Sequence, residues 1–151
     1  MVHLIENGAN VVLLGLMPKT AAIIKALNRD FSITPCLFAE RRPFHILPTI
    51  KYNFVRCLIP QNKYYSLHSV LDMVSAPHEV RTILVPCTSQ FEKYISEYKD
   101  YFEIEYIIRN LSQLTEALPS VQLLVKSLPH GGLKYDLLTA AHRGRIRLFR
   151  L

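Results

Sequence analysis

The chain has 151 residues, and 50% of them are apolar, which is enough for one compact domain. A charged fraction of 20%, with nine Pro and five Gly, excludes disordered and fibrous proteins. The formal net charge is +6, of which residues 1–125 carry +1 and residues 126–151 carry +5. We therefore expect a nearly neutral domain followed by a short basic segment, and we do not expect direct nucleic-acid binding.

Apolar runs and cysteines indicate the compartment. The longest apolar run, Val11–Met17, is far shorter than the roughly 20 residues of a membrane span, and no basic region precedes it as in a signal peptide. The three cysteines are widely separated and fall on predicted strands or strand ends: Cys36, Cys57 and Cys87. This usage is typical of small buried side chains in a reducing compartment, so we expect a cytoplasmic protein without a membrane segment.

Strands and helices alternate through the first 110 residues. Apolar runs predict strands over residues 10–14, 32–38, 54–59, 81–85 and 104–108. Amphipathic spacing predicts helices over residues 20–28, 64–74 and 91–101. Such alternation is typical of βαβ units, so we expect an α/β fold with a Rossmann-like, three-layer parallel sheet.

The last 40 residues break this pattern. They predict a short helix over 112–118, a strand over 121–126, and a hairpin of two antiparallel strands over 134–141 and 145–149. A segment of this length makes little core of its own, so we expect it to pack on the first layer or on a partner.

Two predicted strand ends carry candidate ligand-binding residues. Gly15 follows the first strand, but positions 15–20 read Gly-Leu-Met-Pro-Lys-Thr and do not match the dinucleotide motif GxGxxG. Lys19, at the following helix start, either binds an anion or belongs to a plain turn. Thr88 and Ser89 follow the fourth strand, where ligands bind in open α/β sheets, with helix capping as their alternative role.

Few other residues indicate a binding or catalytic site. Arg41 and Arg42 are candidates for anion contact or an ordinary solvated pair, and Cys87 has no His placed by sequence to activate it as a nucleophile. The six His are scattered without metal-ligand spacing, and no carboxylate pair is marked out for acid–base work.

The order of these elements resembles the ATP-grasp carboxylate–amine ligases in two pieces. In the first, Val11–Gly15, Arg56 before Cys57–Pro60, and Ile83–Ser89 resemble the preATP-grasp domain that begins these enzymes. In the second, Leu114–Leu118, Leu123–Lys126 and the predicted hairpin resemble an interior part of the ATP-grasp domain. The resemblance implies a preATP-grasp domain over residues 1–110 and a partial ATP-grasp segment over residues 111–151.

In this family ATP and Mg²⁺ activate a carboxylate as an acyl phosphate, which an amine then attacks. The resemblance implies that Lys126, Ser127 and Leu128 form the hinge that contacts adenine. This chain has no recognisable counterpart of the family's phosphate-binding subdomain or of its metal ligands. We therefore expect a truncated or partial relative, completed by another chain or acting as a homo-oligomer, with ATP or a small molecule as its ligand. The alternatives are a non-catalytic ligand- or protein-binding module and, more distantly, nucleic-acid binding by the basic segment.

Overall fold

The computed structural model describes residues 1–40, 50–57, 71 and 81–121. Within them, five parallel strands form one sheet in the order β3-β2-β1-β4-β5. The strands are β1 (Asn10–Leu14), β2 (Cys36–Ala39), β3 (Asn53–Arg56), β4 (Thr82–Pro86) and β5 (Ile107–Ile108). The predicted α/β class with a parallel sheet is confirmed.

The central strand β1 pairs on both sides. Val12 is in register with Cys36 of β2 on one side and with Leu84 of β4 on the other. Val11 through Leu14 are fully buried, because helices cover both faces of the sheet. This explains why the strand is a continuous apolar run rather than an alternating one.

Five helices whose bounds lie within the described residues surround the sheet. They are α1 (Val2–Glu6), α2 (Thr20–Phe31), α3 (Ser89–Glu97), α4 (Lys99–Glu105) and α5 (Leu111–Ala117). Helices α1, α2 and α5 pack on one face through an aliphatic cluster that includes Leu13, Ile24 and Leu114. Helices α3 and α4 pack on the other face through a cluster rich in aromatic rings. The first of these helices, α1, was not predicted from the sequence.

Helix α2 is three residues longer than the predicted helix over 20–28. It ends where Ser32 adopts a left-handed conformation with φ 56°, and the Ile33 N–H donates to the Leu27 carbonyl at 3.0 Å. The predicted strand over 32–38 is therefore wrong at its start, because Ser32 and Ile33 close the helix. Strand β2 begins at Cys36, immediately after Pro35.

The predicted helix over 91–101 is two helices. The chain leaves helical geometry at Tyr98, with φ −118° and ψ 30°, and α4 starts at Lys99. Helix α4 then runs to Glu105, so the predicted strand over 104–108 is reduced to Ile107 and Ile108. Ile104 is on this helix and is 81% exposed, although its apolar character favoured a buried strand.

Several predicted elements lie partly or wholly outside the described residues. Leu71 is helical and fully buried, but the rest of the predicted helix over 64–74 is outside. Val121 is helical rather than extended, and the remainder of the predicted strand over 121–126 is outside. The predicted hairpin over 134–149 and the last two residues of the predicted strand over 54–59 are also outside.

Polar contacts at the end of α2 tie three segments together. The Asn28 side chain donates to the carbonyls of Ile33 (2.6 Å) and Lys51 (3.0 Å), and it accepts from the Lys51 N–H at 2.7 Å. The buried Ser120 hydroxyl donates to the Asp30 carboxylate across 90 residues of chain. This hydrogen bond, with a second one from Arg29 (2.8 Å), lowers the pKa of Asp30 from its ordinary value.

Among the described helices, none combines the length and the apolar character that crossing a bilayer requires.

Candidate functional site

A cleft of about 300 Å³ opens at the carboxyl ends of β1, β2 and β4. After β1 the chain continues into α2, which packs on one face of the sheet. Leu71, in the segment before β4, packs on the opposite face. The strand order therefore reverses between β1 and β4, and such reversal points are where open α/β sheets bind ligands. The cleft is lined by Gly15, Leu16, Met17, Pro18, Ala39, Glu40, Thr88, Gln90 and Phe91.

Gly15 forms the floor of the cleft. Its φ is +100°, and its N–H donates to the Phe38 carbonyl at 2.7 Å, so the strand pairing continues one residue beyond β1. A Cβ added here would lie 2.7 Å from Thr88 Cγ2, 2.8 Å from Thr88 Oγ1 and 3.1 Å from Phe91 Cδ2. The position requires glycine both for its backbone conformation and for the close approach of α3.

Three positions in the loop from β1 to α2 offer a ligand no backbone donor. Pro18 has no N–H, and the Met17 N–H donates to the Thr20 hydroxyl at 2.9 Å. The Thr20 N–H in turn donates to the Met17 carbonyl at 3.0 Å, and Thr20 itself is buried. A phosphate at this loop would therefore find no N–H donor at residues 17, 18 and 20.

The opposite wall of the cleft is the start of α3. Thr88 is the N-terminal capping residue in an extended conformation, but its hydroxyl makes no capping hydrogen bond. Its carbonyl accepts the Glu92 N–H at 2.9 Å, which starts the helix. The hydroxyl therefore lies beside Gly15 at the cleft instead of serving the helix end.

Glu40 contributes the negative charge of the cleft. It follows β2 directly, and the preceding residue, Ala39, is held in the sheet by a hydrogen bond from the Cys57 N–H at 3.0 Å. The other described residues of the lining are uncharged. The described part of the cleft therefore suits a neutral or cationic ligand better than an anion.

Cys87 directly precedes Thr88 but is buried and does not line the cleft. Its N–H donates to the Leu14 carbonyl at 2.8 Å, and its thiol donates to the Val85 carbonyl at 3.3 Å. Burial raises the pKa of this thiol to about 12, which keeps it protonated and unreactive near neutral pH. Within the ranges that the structure describes, no group of three or more His, Cys, Asp or Glu side chains is arranged to hold a metal ion.

The structure brings two of the predicted ligand-binding residues together. Gly15 and Thr88 line the same cleft, whereas Lys19 and Ser89 are exposed and do not belong to its lining. Lys126, Ser127 and Leu128 lie outside the described residues, as do Arg41 and Arg42.

Sequence reasoning missed the acidic and amide groups of the cleft. Glu40 was identifiable, because it is the first acidic residue after the second predicted strand, two residues beyond its end. Gln90 lies on the first turn of α3, two residues beyond Thr88, and nothing in its sequence context distinguished it from an ordinary exposed helix residue.

Comparison with known proteins supplies no relative. The scan of family models, the search of curated proteins and the search of solved structures each found no match to this chain.

Proposed function

We propose that this chain is a small-ligand-binding α/β module whose ligand occupies the cleft between Gly15, Glu40 and Thr88. The observation that carries the proposal is the approach of two loops at the strand-order reversal. Gly15, with its positive φ and no Cβ, brings the end of β1 against the Thr88 hydroxyl, which helix capping does not use. A cleft with mostly apolar walls and a few polar groups is the usual form of a small-molecule site.

The test is a thermal-shift screen of nucleosides, amino acids, sugars and carboxylates, with hits measured by calorimetry. Thr88→Val keeps the side-chain shape and removes the hydroxyl, so it should weaken binding at least fivefold. Ser89→Ala is the matched control, because Ser89 is the exposed neighbour outside the lining, and it should leave the affinity unchanged. Absence of any binder, or equal affinities for wild type and Thr88→Val, would reject the proposal.

A second candidate is kinship with the ATP-grasp carboxylate–amine ligases. It is supported by the position of the cleft, whose walls include parts of the two segments, Val11–Gly15 and Ile83–Ser89, that carry the resemblance. On this proposal the cleft holds the small-molecule substrate, since residues 17, 18 and 20 of its loop offer the phosphates of ATP no N–H donor. The adenine hinge remains proposed at Lys126, Ser127 and Leu128.

Calorimetry with ATP, with and without Mg²⁺, tests the second candidate on the whole chain. Saturable, Mg²⁺-dependent ATP binding would support it. No heat of binding at millimolar ATP would reject it and leave the small-ligand proposal standing.

A further inference from the structure

The position of Glu40 identifies the class of ligand. In α/β folds that bind nucleotides, an acidic side chain at the end of the second strand accepts hydrogen bonds from the ribose hydroxyls. Here Glu40 immediately follows β2, and it lines the same cleft as Gly15 at the end of β1. A carboxylate has two acceptor oxygens and no donor, so it matches the two adjacent hydroxyls of a ribose.

The loop from β1 to α2 lacks the GxGxxG motif of the dinucleotide sites in which such an acid usually occurs. Pro18 has no N–H and the Met17 N–H is already bonded to Thr20, so these two positions offer a pyrophosphate no donor. The Glu40 carboxylate would also repel a phosphate placed near it. The ligand therefore carries its hydroxyls, and not a phosphate, toward Glu40.

The span of the cleft gives the size of the ligand. Glu40 follows β2 and Thr88 follows β4, with β1 between them. Neighbouring strands lie about 4.8 Å apart, so the ends of β2 and β4 are separated by roughly 10 Å. The cleft between them has a volume of about 300 Å³, at the lower end of the range for small-molecule sites, which suits a ligand the size of a nucleoside. Between them, Leu16, Met17 and Phe91 provide apolar surface for a flat base, and the Gln90 amide can hydrogen-bond its edge.

We infer that the cleft binds a ribonucleoside, with the ribose 2′- and 3′-hydroxyls donating to the Glu40 carboxylate and the base toward Thr88 and Phe91. This inference rests on the proposed small-ligand function and makes it specific. It assigns a binding role to Glu40, a residue that sequence analysis did not select.

Calorimetry with adenosine, guanosine, cytidine and uridine, each paired with its 2′-deoxy form, tests the inference. Because a hydrogen bond to a charged group is strong, the ribonucleoside that binds should do so about tenfold or more tightly than its deoxy partner. Glu40→Ala should reduce that ratio to about one. Glu6→Ala, which removes an exposed carboxylate on α1 outside the cleft, should leave the ratio unchanged.

The outcomes separate this inference from the proposed function. If no nucleoside binds but another compound binds with dependence on Thr88, the inference is overturned and the small-ligand function stands. If a diamine such as cadaverine binds with dependence on Glu40 while nucleosides do not, Glu40 recognises an ammonium group and the inference is again overturned. If no compound of the wider screen binds, both proposals fail.

Discussion

Replacing Gly15 with alanine tests the geometry at the base of the cleft. A side chain at φ +100° costs about 1–3 kcal/mol in backbone strain. The added methyl group would lie 2.7 Å from Thr88 Cγ2 and 2.8 Å from Thr88 Oγ1, and such overpacking costs a further 1–3 kcal/mol or so. We therefore expect Gly15→Ala to lower the free energy of unfolding by about 4 kcal/mol.

Gly8→Ala is a matched control, because Gly8 also has a positive φ, +78°, but no atom lies within 4 Å of an added Cβ. It should cost only the backbone strain, about 1–2 kcal/mol. Urea unfolding followed by far-UV circular dichroism measures both variants. Adding Thr88→Ala to Gly15→Ala should recover about 1 kcal/mol or more, because it removes two clashing atoms. Equal losses for the two glycine variants, or no recovery in the double variant, would refute the reasoning.

Three further predictions concern the core and the end of α2. Asn28→Ala should lower the free energy of unfolding by about 2 kcal/mol, because it removes the hydrogen bonds to Ile33 and Lys51. Asp30→Asn should destabilise the protein at neutral pH, and this difference should shrink as the solution is made acidic, since hydrogen bonds from Ser120 and Arg29 lower the pKa of Asp30 and its contribution is lost as pH falls through that lowered value. The Cys87 thiol, with its pKa raised to about 12, should react with Ellman's reagent at pH 8 only after unfolding in urea.

Each of these three predictions has a result that would contradict it. Urea midpoints unchanged in Asn28→Ala would show that the amide contributes nothing to the α2 end. A stability difference for Asp30→Asn that does not shrink as the solution is made acidic would contradict the pH dependence. Ellman's reagent should modify folded wild type and the folded Cys87→Ser variant equally slowly, because Cys36 and Cys57 are buried as well. Rapid modification that the Cys87→Ser substitution abolishes would show that this thiol is accessible.

The central strand and the helix after it were the most predictable parts of the fold. Asn10–Leu14 is observed with the predicted bounds, because a strand buried on both faces needs a continuous apolar run. The aliphatic face of α2 follows from its 3.6-residue spacing in the same way. The last turn of α2 was missed because the helix ends at Ser32, which adopts a left-handed conformation, and no Gly in the sequence marks that end.

The break at Tyr98 was not predictable from spacing. Tyr94, Tyr98 and Phe102 recur at intervals of four, as they would in one uninterrupted helix. Their rings contact one another, with centroids 5.1 Å apart for Tyr94 and Tyr98 and 6.2 Å apart for Tyr94 and Phe102. No Pro or Gly marks the interruption, and the contacts between these rings continue across it.

Half of the predicted cleft residues are at the cleft because strand ends converge there by topology. Gly15 and Thr88 end β1 and β4, and neighbouring parallel strands bring their carboxyl ends to one edge. Lys19, four residues after Gly15, and Ser89, directly after Thr88, are exposed and outside the cleft lining, which strand positions alone do not reveal. The cleft wall from β2 was missed because Glu40 opens an irregular stretch that carried no motif.

The two faces of the sheet differ in chemistry, and this difference has a spectroscopic consequence. Among the described residues, the fully or nearly fully buried rings, including Phe91 and Phe102, belong to the face covered by α3 and α4, whereas the buried side chains under α2 are aliphatic. The chain has no Trp, so near-UV circular dichroism reports on tyrosine and phenylalanine packing. If α3 and α4 leave the sheet while α2 still covers it, the near-UV signal of these buried rings should therefore melt before the far-UV signal.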